Sequence, residues 1–233
     1  MESGQKGALI LLSGGQDSAT CLALMKRNFK YPFVDALSFC YGQRHEMELL
    51  QAKRIGKIFE VRKHDTVDLK NYGALLDSAL TGYSFEKIEE SKRFKGLPTS
   101  FVPGRNMVFF SIAAGVAVSR GIEHIYSGVC QADSSGYPDC RYEFVAACED
   151  AINFALGLPK NTVRLFTPLI NMTKARIFEA ADELGVLETI LTETATCYNT
   201  GLGKHSWGHG CGKCPACLLR KKGWEEFCER QKA

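Results

Sequence analysis

The chain has 233 residues, 45% hydrophobic and 24% charged, with 29 Lys and Arg against 26 Asp and Glu, a formal net charge of +3. That length suits one large domain with a small appendage. The slight basic excess suits an anionic substrate but falls short of the dense basic surface of a dedicated nucleic-acid binder. Ten cysteines and a short polar start with no signal-peptide pattern fit a reducing cytoplasm. The most apolar long stretch, Met107 to Val118, is shorter than the roughly 20 residues a membrane span needs, so no membrane association is expected.

An unbroken apolar run, Ala8-Leu9-Ile10-Leu11-Leu12, leads into Ser13-Gly14-Gly15-Gln16-Asp17-Ser18, after which Ala19, Leu22 and Ala23 recur at helical spacing. The pattern predicts a buried strand, a tight turn and a helix. Two glycines let the backbone approach a ligand, and the free N–H groups of a helix start make the turn an anion site, with phosphate the natural occupant. The plainer alternative is structural punctuation. No GK[ST] follows and GxGxxG is absent, so neither a Walker loop nor a usual dinucleotide turn is present.

Phe33 to Cys40 is a second buried strand, ending in Tyr41-Gly42-Gln43-Arg44-His45, a loop expected to border the ligand. A helix follows with Leu49, Ala52, Ile55 and Phe59 on one face; Val61 to Leu69 reads as an outer strand and Tyr72 to Leu80 as a helix. From Thr81 to Thr99 periodicity is lost, which predicts a surface loop that is mobile until ligands bind. Phe101-Val102-Pro103-Gly104-Arg105-Asn106 opens a buried helix, and Arg105 at its mouth requires an anion: a carboxylate of the protein, or a phosphate or carboxylate of the substrate.

Ile122 to Val129 is a fourth strand, and the loop after it, Cys130 to Arg141, gathers Asp133, Tyr137, Asp139 and Arg141. A helix carries Phe144, Val145, Cys148, Ile152 and Ala155 on one stripe; Val163 to Phe166 is a fifth strand, and Thr173 to Leu184 a helix. The alternation predicts an α/β fold, a doubly wound five-stranded parallel sheet. It stops near Glu188, which divides the chain into a nucleotide-binding unit, 1–187, and a cysteine-rich helical subdomain, 188–233.

In that tail Cys211, Cys214 and Cys217 form two overlapping CxxC steps, and Cys197 supplies a fourth corner. Four thiolates favour structural Zn²⁺. A redox dithiol or an iron–sulfur cluster is the alternative, and His205 or His209 could replace one sulfur. Cys21, Cys40 and Cys148 read as inert. Cys130 or Cys140 could be a nucleophile, although bystander thiols are commoner.

The string SGGQDS resembles the SGGxDS loop of the PP-loop ATP pyrophosphatases, which split ATP between its α- and β-phosphates and transfer AMP to a substrate oxygen. With YGQRH, FVPGRN, GVC and SGYPDCR, TPL before Lys174, and TCYN before CGxCxxC, the chain resembles the QueC family of 7-cyano-7-deazaguanine synthases over nearly its whole length. The resemblance implies an adenine nucleotide alpha hydrolase-like fold and ATP-dependent conversion of 7-carboxy-7-deazaguanine and ammonia to the nitrile, on the way to queuosine.

It also implies that ATP lies along Leu12, Ser13, Gly14, Gly15, Gln16, Asp17, Ser18, Ala19, Thr20, Cys21 and Leu22, with Asp17 helping to hold Mg²⁺. Lys174, by family position, would neutralise departing pyrophosphate, with Arg105 as a second cation. For the deazaguanine, Asp139 or Asp133 would accept its N–H edge, Tyr137 would meet its ring, and Arg141 or Arg105 its carboxylate. Asp139 and Arg141 pairing simply to hold the loop is the plainer alternative. A homodimer acting on small molecules, without direct nucleic-acid contact, is expected. Competing functions are a tRNA thiolation enzyme using Cys130 or Cys140, a zinc-bearing nucleic-acid module resting on Arg220, Lys221, Lys222 and Trp224, and an ATP binder without catalysis.

Overall fold

Strands covered on both faces carry continuous apolar runs, and the run at Ala8 lies in such a sheet. The computed structural model describes residues 7–43, 46–76, 78–81, 90–131, 137–199 and 203–232. Strands β1 (Ala8–Leu11), β2 (Val34–Cys40), β3 (Lys63–Asp68), β4 (His124–Ser127) and β5 (Arg164–Phe166) form one sheet, every pair parallel, in the order β3-β2-β1-β4-β5. The five expected strands are all present, and β3, with its mixed exposure, is an edge.

Successive residues of a strand point to opposite faces, so one run feeds two cores. Ala8, Ile10 and Leu12 meet Val34 and Ala36 under helices α1 (Gln16–Asn28) and α6 (Lys174–Glu183). On the other face Leu9, Leu37 and Ile125 pack against α4 (Arg105–Ser119) and α5 (Tyr142–Ala155), with Phe39 stacked on Phe109 at 4.0 Å. Helix α2 (Glu46–Ile58) follows β2 and contributes Ala52 and Ile55 to the first core. Because β4 lies beside β1 on the side away from β2, the strand order reverses between β1 and β4. Open α/β sheets place ligands in the crevice beyond the strand ends at such a point.

Three sequence expectations are corrected. Helix α3 (Lys70–Ala74) covers only the first residues of the stretch expected to be helical, Tyr72 to Leu80; Asp68, just ahead of it, accepts from Lys70 N at 2.9 Å, and Leu75, 84% exposed, offers no apolar face to extend it. Within the long loop, residues 82–89 lie outside the described residues. Residues 90–99 are folded back, with Gly96 N donating to Glu90 Oε1 at 2.8 Å and Phe94 and Leu97 packed near Phe101 and Tyr137.

The tail is less purely helical than expected. Besides α7 (Leu187–Glu193) and α8 (Pro215–Arg230) it contains an antiparallel hairpin of β6 (Gly203–His205) and β7 (Gly208–Gly210). Its glycines carry no strand signal, so backbone pairing alone made it invisible to pattern. Ile190 of α7 and Phe227 of α8 are buried in the first core, while Trp207 and the cysteines form a small cluster of their own.

One buried charge sits in the sheet. Asp35 on β2, with no exposure, accepts from Arg62 at 2.8 and 2.9 Å and from Arg120 at 3.0 Å, and Arg120 also reaches Asp65. Removing one partner strands part of that charge, which costs far more than the pair itself contributes. Arg120→Met is therefore expected to lower stability by about 2–4 kcal/mol, the range for breaking a buried pair discounted because Arg62 remains. Urea denaturation read by circular dichroism checks this, and an unchanged midpoint would contradict it.

Candidate active site

At the carboxyl edge of the sheet a cavity of about 650 Å³ opens among the exits of β1, β2 and β4, the start of α4 and the tail. Leu12, Ser13, Asp17 and Ser18 line it, together with Tyr41, Glu48, Arg105, Phe109, Tyr137 and Tyr198. That volume lies within the range of small-molecule sites.

The phosphate-type lining follows from local sequence. Gly14 takes φ +87°, Gly15 starts α1 with no side-chain cap, and Ser13 Oγ sits 3.1 Å from Ser18 Oγ. An uncapped helix start presents N–H groups and a positive dipole end, which is what an anion needs. Gly128, just after β4, abuts this start so closely that a Cβ there would come within 2.7 Å of Ser18 N. Of the expected nucleotide stretch, Ala19, Cys21 and Leu22 instead face the core, and burial raises the Cys21 pKa far above its usual value. Gln16 and Thr20 are buried with their side-chain polar atoms unpartnered.

Asp17 is met by Lys174, whose Nζ lies 2.7 Å from Asp17 Oδ2 and whose side chain is only 6% exposed. Thr173 caps α6 by accepting from Arg176 N at 3.3 Å, which sets Lys174 at the first position of the helix. From behind, α8 packs so tightly that a Cβ on Gly223 would stand 2.2 Å from Lys174 Cβ. Asp17 Oδ1 is buried with no hydrogen-bond partner, an acceptor suited to a cation such as Mg²⁺.

On the same cavity wall Arg105 is half-buried and makes no ion pair among the described residues; its Nε donates weakly to Asn106 Oδ1 at 3.4 Å. Burial disfavours its charge, but the neighbouring Tyr41, Asp139 and Cys140 outweigh that and hold its pKa above the ordinary value. Tyr137 lines the cavity with its hydroxyl 2.7 Å from Ser100 Oγ.

Two other expected substrate contacts lie elsewhere. The Asp139 carboxylate accepts from Asn106 N at 3.2 Å and ties the α4 start from behind the cavity wall. Arg141 is exposed at the start of α5, beside a separate surface depression with Gln131 and Asn171, and does not pair with Asp139. Asp133, Arg44 and His45 lie outside the described residues.

The four cysteine sulfurs, Cys197, Cys211, Cys214 and Cys217, all lie within 4.8 Å of one another. Backbone N–H groups of Cys211 and Asn199 point at Cys197 Sγ at 3.4 and 3.3 Å, and those of Lys213 and Cys214 at Cys211 Sγ at 3.4 and 3.3 Å. Burial works against ionising Cys211, yet these donors and Asn199 hold its thiol below the usual range. Four thiolates this close repel one another unless a cation sits between them, so the set can hold a metal ion with a filled tetrahedral shell. Neither histidine joins it: His205 stacks on Trp207 at 4.3 Å and bonds Gly210 O at 3.1 Å, while His209 bridges to Ala195.

The metal segment touches the anion loop directly. Gln16 N donates to Thr196 Oγ1 at 3.4 Å, and Cys217 Sγ lies 3.5 Å from Thr196 O. Arg220, the largest fully buried side chain and one that pattern reading placed on a basic surface, donates instead to Trp207 O at 2.9 Å, Ile190 O at 2.9 Å and Thr194 O at 3.4 Å. Burial lowers its pKa to about 10, against the pull of Asp17 and Cys217.

Stripping the metal with a chelator is expected to change Trp207 emission, open residues 194–217 to protease, and lower Tm by roughly 10 °C or more, since such sites supply much of their segment's folding energy. Identical fluorescence, digestion pattern and Tm before and after chelation would refute the metal centre.

Known proteins resemble the chain in sequence and in fold. The sequence matches the family described as queuosine biosynthesis protein QueC over residues 7–228. Proteins named 7-cyano-7-deazaguanine synthase are 41% identical in Caulobacter vibrioides, covering 96% of this chain and 94% of that one, and 42% identical in Wolinella succinogenes, covering 94% and 93%. A third, from Bordetella avium, is 40% identical over 99% of this chain and 96% of its own length. In fold the chain is similar to a 4-thiouridine synthetase solved as an RNA complex with bound ATP, at a TM-score of 0.50 and 17% identity, covering 96% of this chain and 51% of that one. The chain belongs to the family of the queuosine biosynthesis protein QueC.

Proposed function

We propose that this chain converts 7-carboxy-7-deazaguanine and ammonia to 7-cyano-7-deazaguanine with ATP, a step in queuosine biosynthesis. The observation that carries the reading is one cavity lined both by the Asp17–Lys174 pair at the start of α1 and by Arg105, which makes no ion pair among the described residues. The similarity to proteins bearing that enzyme's name supports it along the full chain.

A carboxylate is a poor electrophile. Its oxygen attacks the α-phosphorus, the bond to pyrophosphate breaks, and ammonia then attacks the acyl carbon, losing a proton as AMP leaves. The resulting amide is activated through its oxygen in the same way, pyrophosphate leaving again, and loss of AMP and of both N–H protons gives the nitrile. No protein nucleophile is needed; the work is orientation and charge stabilisation. Ser13, the Gly14–Gly15 turn and Ser18 hold the pyrophosphate portion, Lys174 neutralises it as it departs, and Asp17, with one oxygen unpartnered, would hold Mg²⁺. A bound Mg²⁺ would screen the charge of the phosphate oxygens. Arg105 meets the carboxylate of the acid, and Tyr137 and its aromatic neighbours meet the ring.

In this reading residues 188–233 are a subdomain held by structural Zn²⁺, the metal that four buried or half-buried thiolates favour. In the same reading the enzyme is a cytoplasmic homodimer that acts on a small-molecule acid and ammonia, without direct nucleic-acid contact. Among the described residues no helix is long and apolar enough to cross a membrane. Thiolation is disfavoured by its candidate thiols: burial and Asp139 raise Cys140 to about 11, and Cys130 donates to Met172 O at 2.7 Å.

Protein incubated with ATP, Mg²⁺, ammonium and 7-carboxy-7-deazaguanine should release AMP and pyrophosphate and yield the nitrile by mass; ADP, or a sulfur-bearing product, would overturn the reading. Lys174→Ala should lower kcat about 10²- to 10³-fold, the scale for losing one preorganised charge-stabilising group. Circular dichroism should stay native, and unchanged turnover would remove Lys174 from the reaction.

A further inference from the structure

A deazaguanine acid brings two recognition features, a carboxylate and, one carbonyl away along the ring, an edge with adjacent N–H donors. Arg105 answers the first. The second needs a carboxylate, because a single neutral acceptor cannot take two parallel N–H bonds.

The acidic residues on the cavity wall, among the described residues, are Asp17 and Glu48. Asp17 is engaged by Lys174, and Asp139 is turned to the start of α4 behind the wall. Two neutral side chains on the wall are also engaged: Gln43 Oε1 accepts from Tyr41 N at 2.7 Å, and the Tyr137 hydroxyl is bonded to Ser100. The Glu48 carboxyl has no hydrogen bond or ion pair among the described residues, and it is half-buried beside Tyr41 and Arg105. Its backbone is fixed against the anion loop: a Cβ on Gly14 would stand 2.3 Å from Glu48 O. Burial pushes this carboxyl up to about 7, Arg105 pulling the other way, as suits a group whose counter-donors arrive with a ligand.

We infer that Glu48 is the specificity residue for the guanine-type edge, its two carboxylate oxygens accepting the ring N–H and the exocyclic amino group of the substrate. The inference rests on the function proposed above. It places on α2 the acid that the sequence suggested at Asp139.

The test compares wild type, Glu48→Gln and Glu48→Asp on 7-carboxy-7-deazaguanine and on its analogue lacking the exocyclic amino group. Wild type should prefer the amino-bearing acid in kcat/KM by about 10- to 100-fold, the worth of a hydrogen bond to a charged group. Glu48→Gln should reduce that preference to near unity, through KM for the acid and without change in KM for ATP, while Glu48→Asp keeps part of it. Binding of 7-cyano-7-deazaguanine, with and without its amino group, read by fluorescence without turnover, should show the same loss. A preference surviving in Glu48→Gln, or a rise confined to KM for ATP, overturns the inference while leaving the reaction intact. Absence of nitrile with wild type overturns the reaction instead, and the binding ratios still decide Glu48.

Discussion

The contact between Asp17 and Lys174 joins residues 157 apart in sequence, and most of the candidate site is fixed relative to it. Asp17 belongs to the helix after β1 and Lys174 to the helix after β5, so a 2.7 Å separation requires β1, β4 and β5 to be in register and both helices to lie on one face. Lys174 is also pressed by Gly223 of α8. Any shift of the tail therefore reaches the ammonium, which is how a segment remote from the sheet becomes part of the cavity.

The same logic explains Arg220. A divalent cation with four thiolates carries a net charge near −2, which burial makes costly unless a positive charge stands nearby. Arg220 is that charge: it is fully buried, coupled to Cys217 and Asp17, and held by backbone carbonyls rather than by a carboxylate that would neutralise it. Its three carbonyls come from α7, the Thr194 cap at its end and the hairpin turn, so one side chain knots the tail together and turns its field toward the anion loop.

What could be read in the sequence was local. The apolar run before SGGQDS, the helix phase after it and the CxxC steps are short-range patterns, and each element appears where its period placed it. The four cysteines converge because turn geometry aims three of them and the segment bearing Cys197 needs only to pass by. Glu48 and Arg220 were not legible because each sits in an ordinary helical charge pattern, Glu48 in an acidic-and-basic run and Arg220 before two lysines that are exposed. Only the packing of α2 against Gly14, and of α8 against Gly208 and α7, separates them from solvated neighbours. Arg141 and Asp139 were misjudged for the converse reason: proximity in a polar loop does not fix direction, and a 3₁₀ turn at Pro138–Cys140 sends their side chains to opposite sides of the wall.

Burying Lys174 rather than leaving it on a surface bears on how such a site would act. An exposed lysine is solvated and screened, and must be recruited when charge develops; one held at 6% exposure has lost its water during folding. Its pairing with Asp17 offsets that desolvation in the absence of ligand. A pyrophosphate leaving group, more highly charged than one carboxylate, can compete for the ammonium while the second Asp17 oxygen, already unpartnered, turns to a cation. The exchange requires no large motion, only a redistribution of partners among groups fixed by α1, α6 and α8. Preorganisation of this kind, in which folding has already met the solvation cost of the charge, physically links a tail knotted by Arg220 and a cysteine set able to hold a metal to the anion loop at the tip of β1.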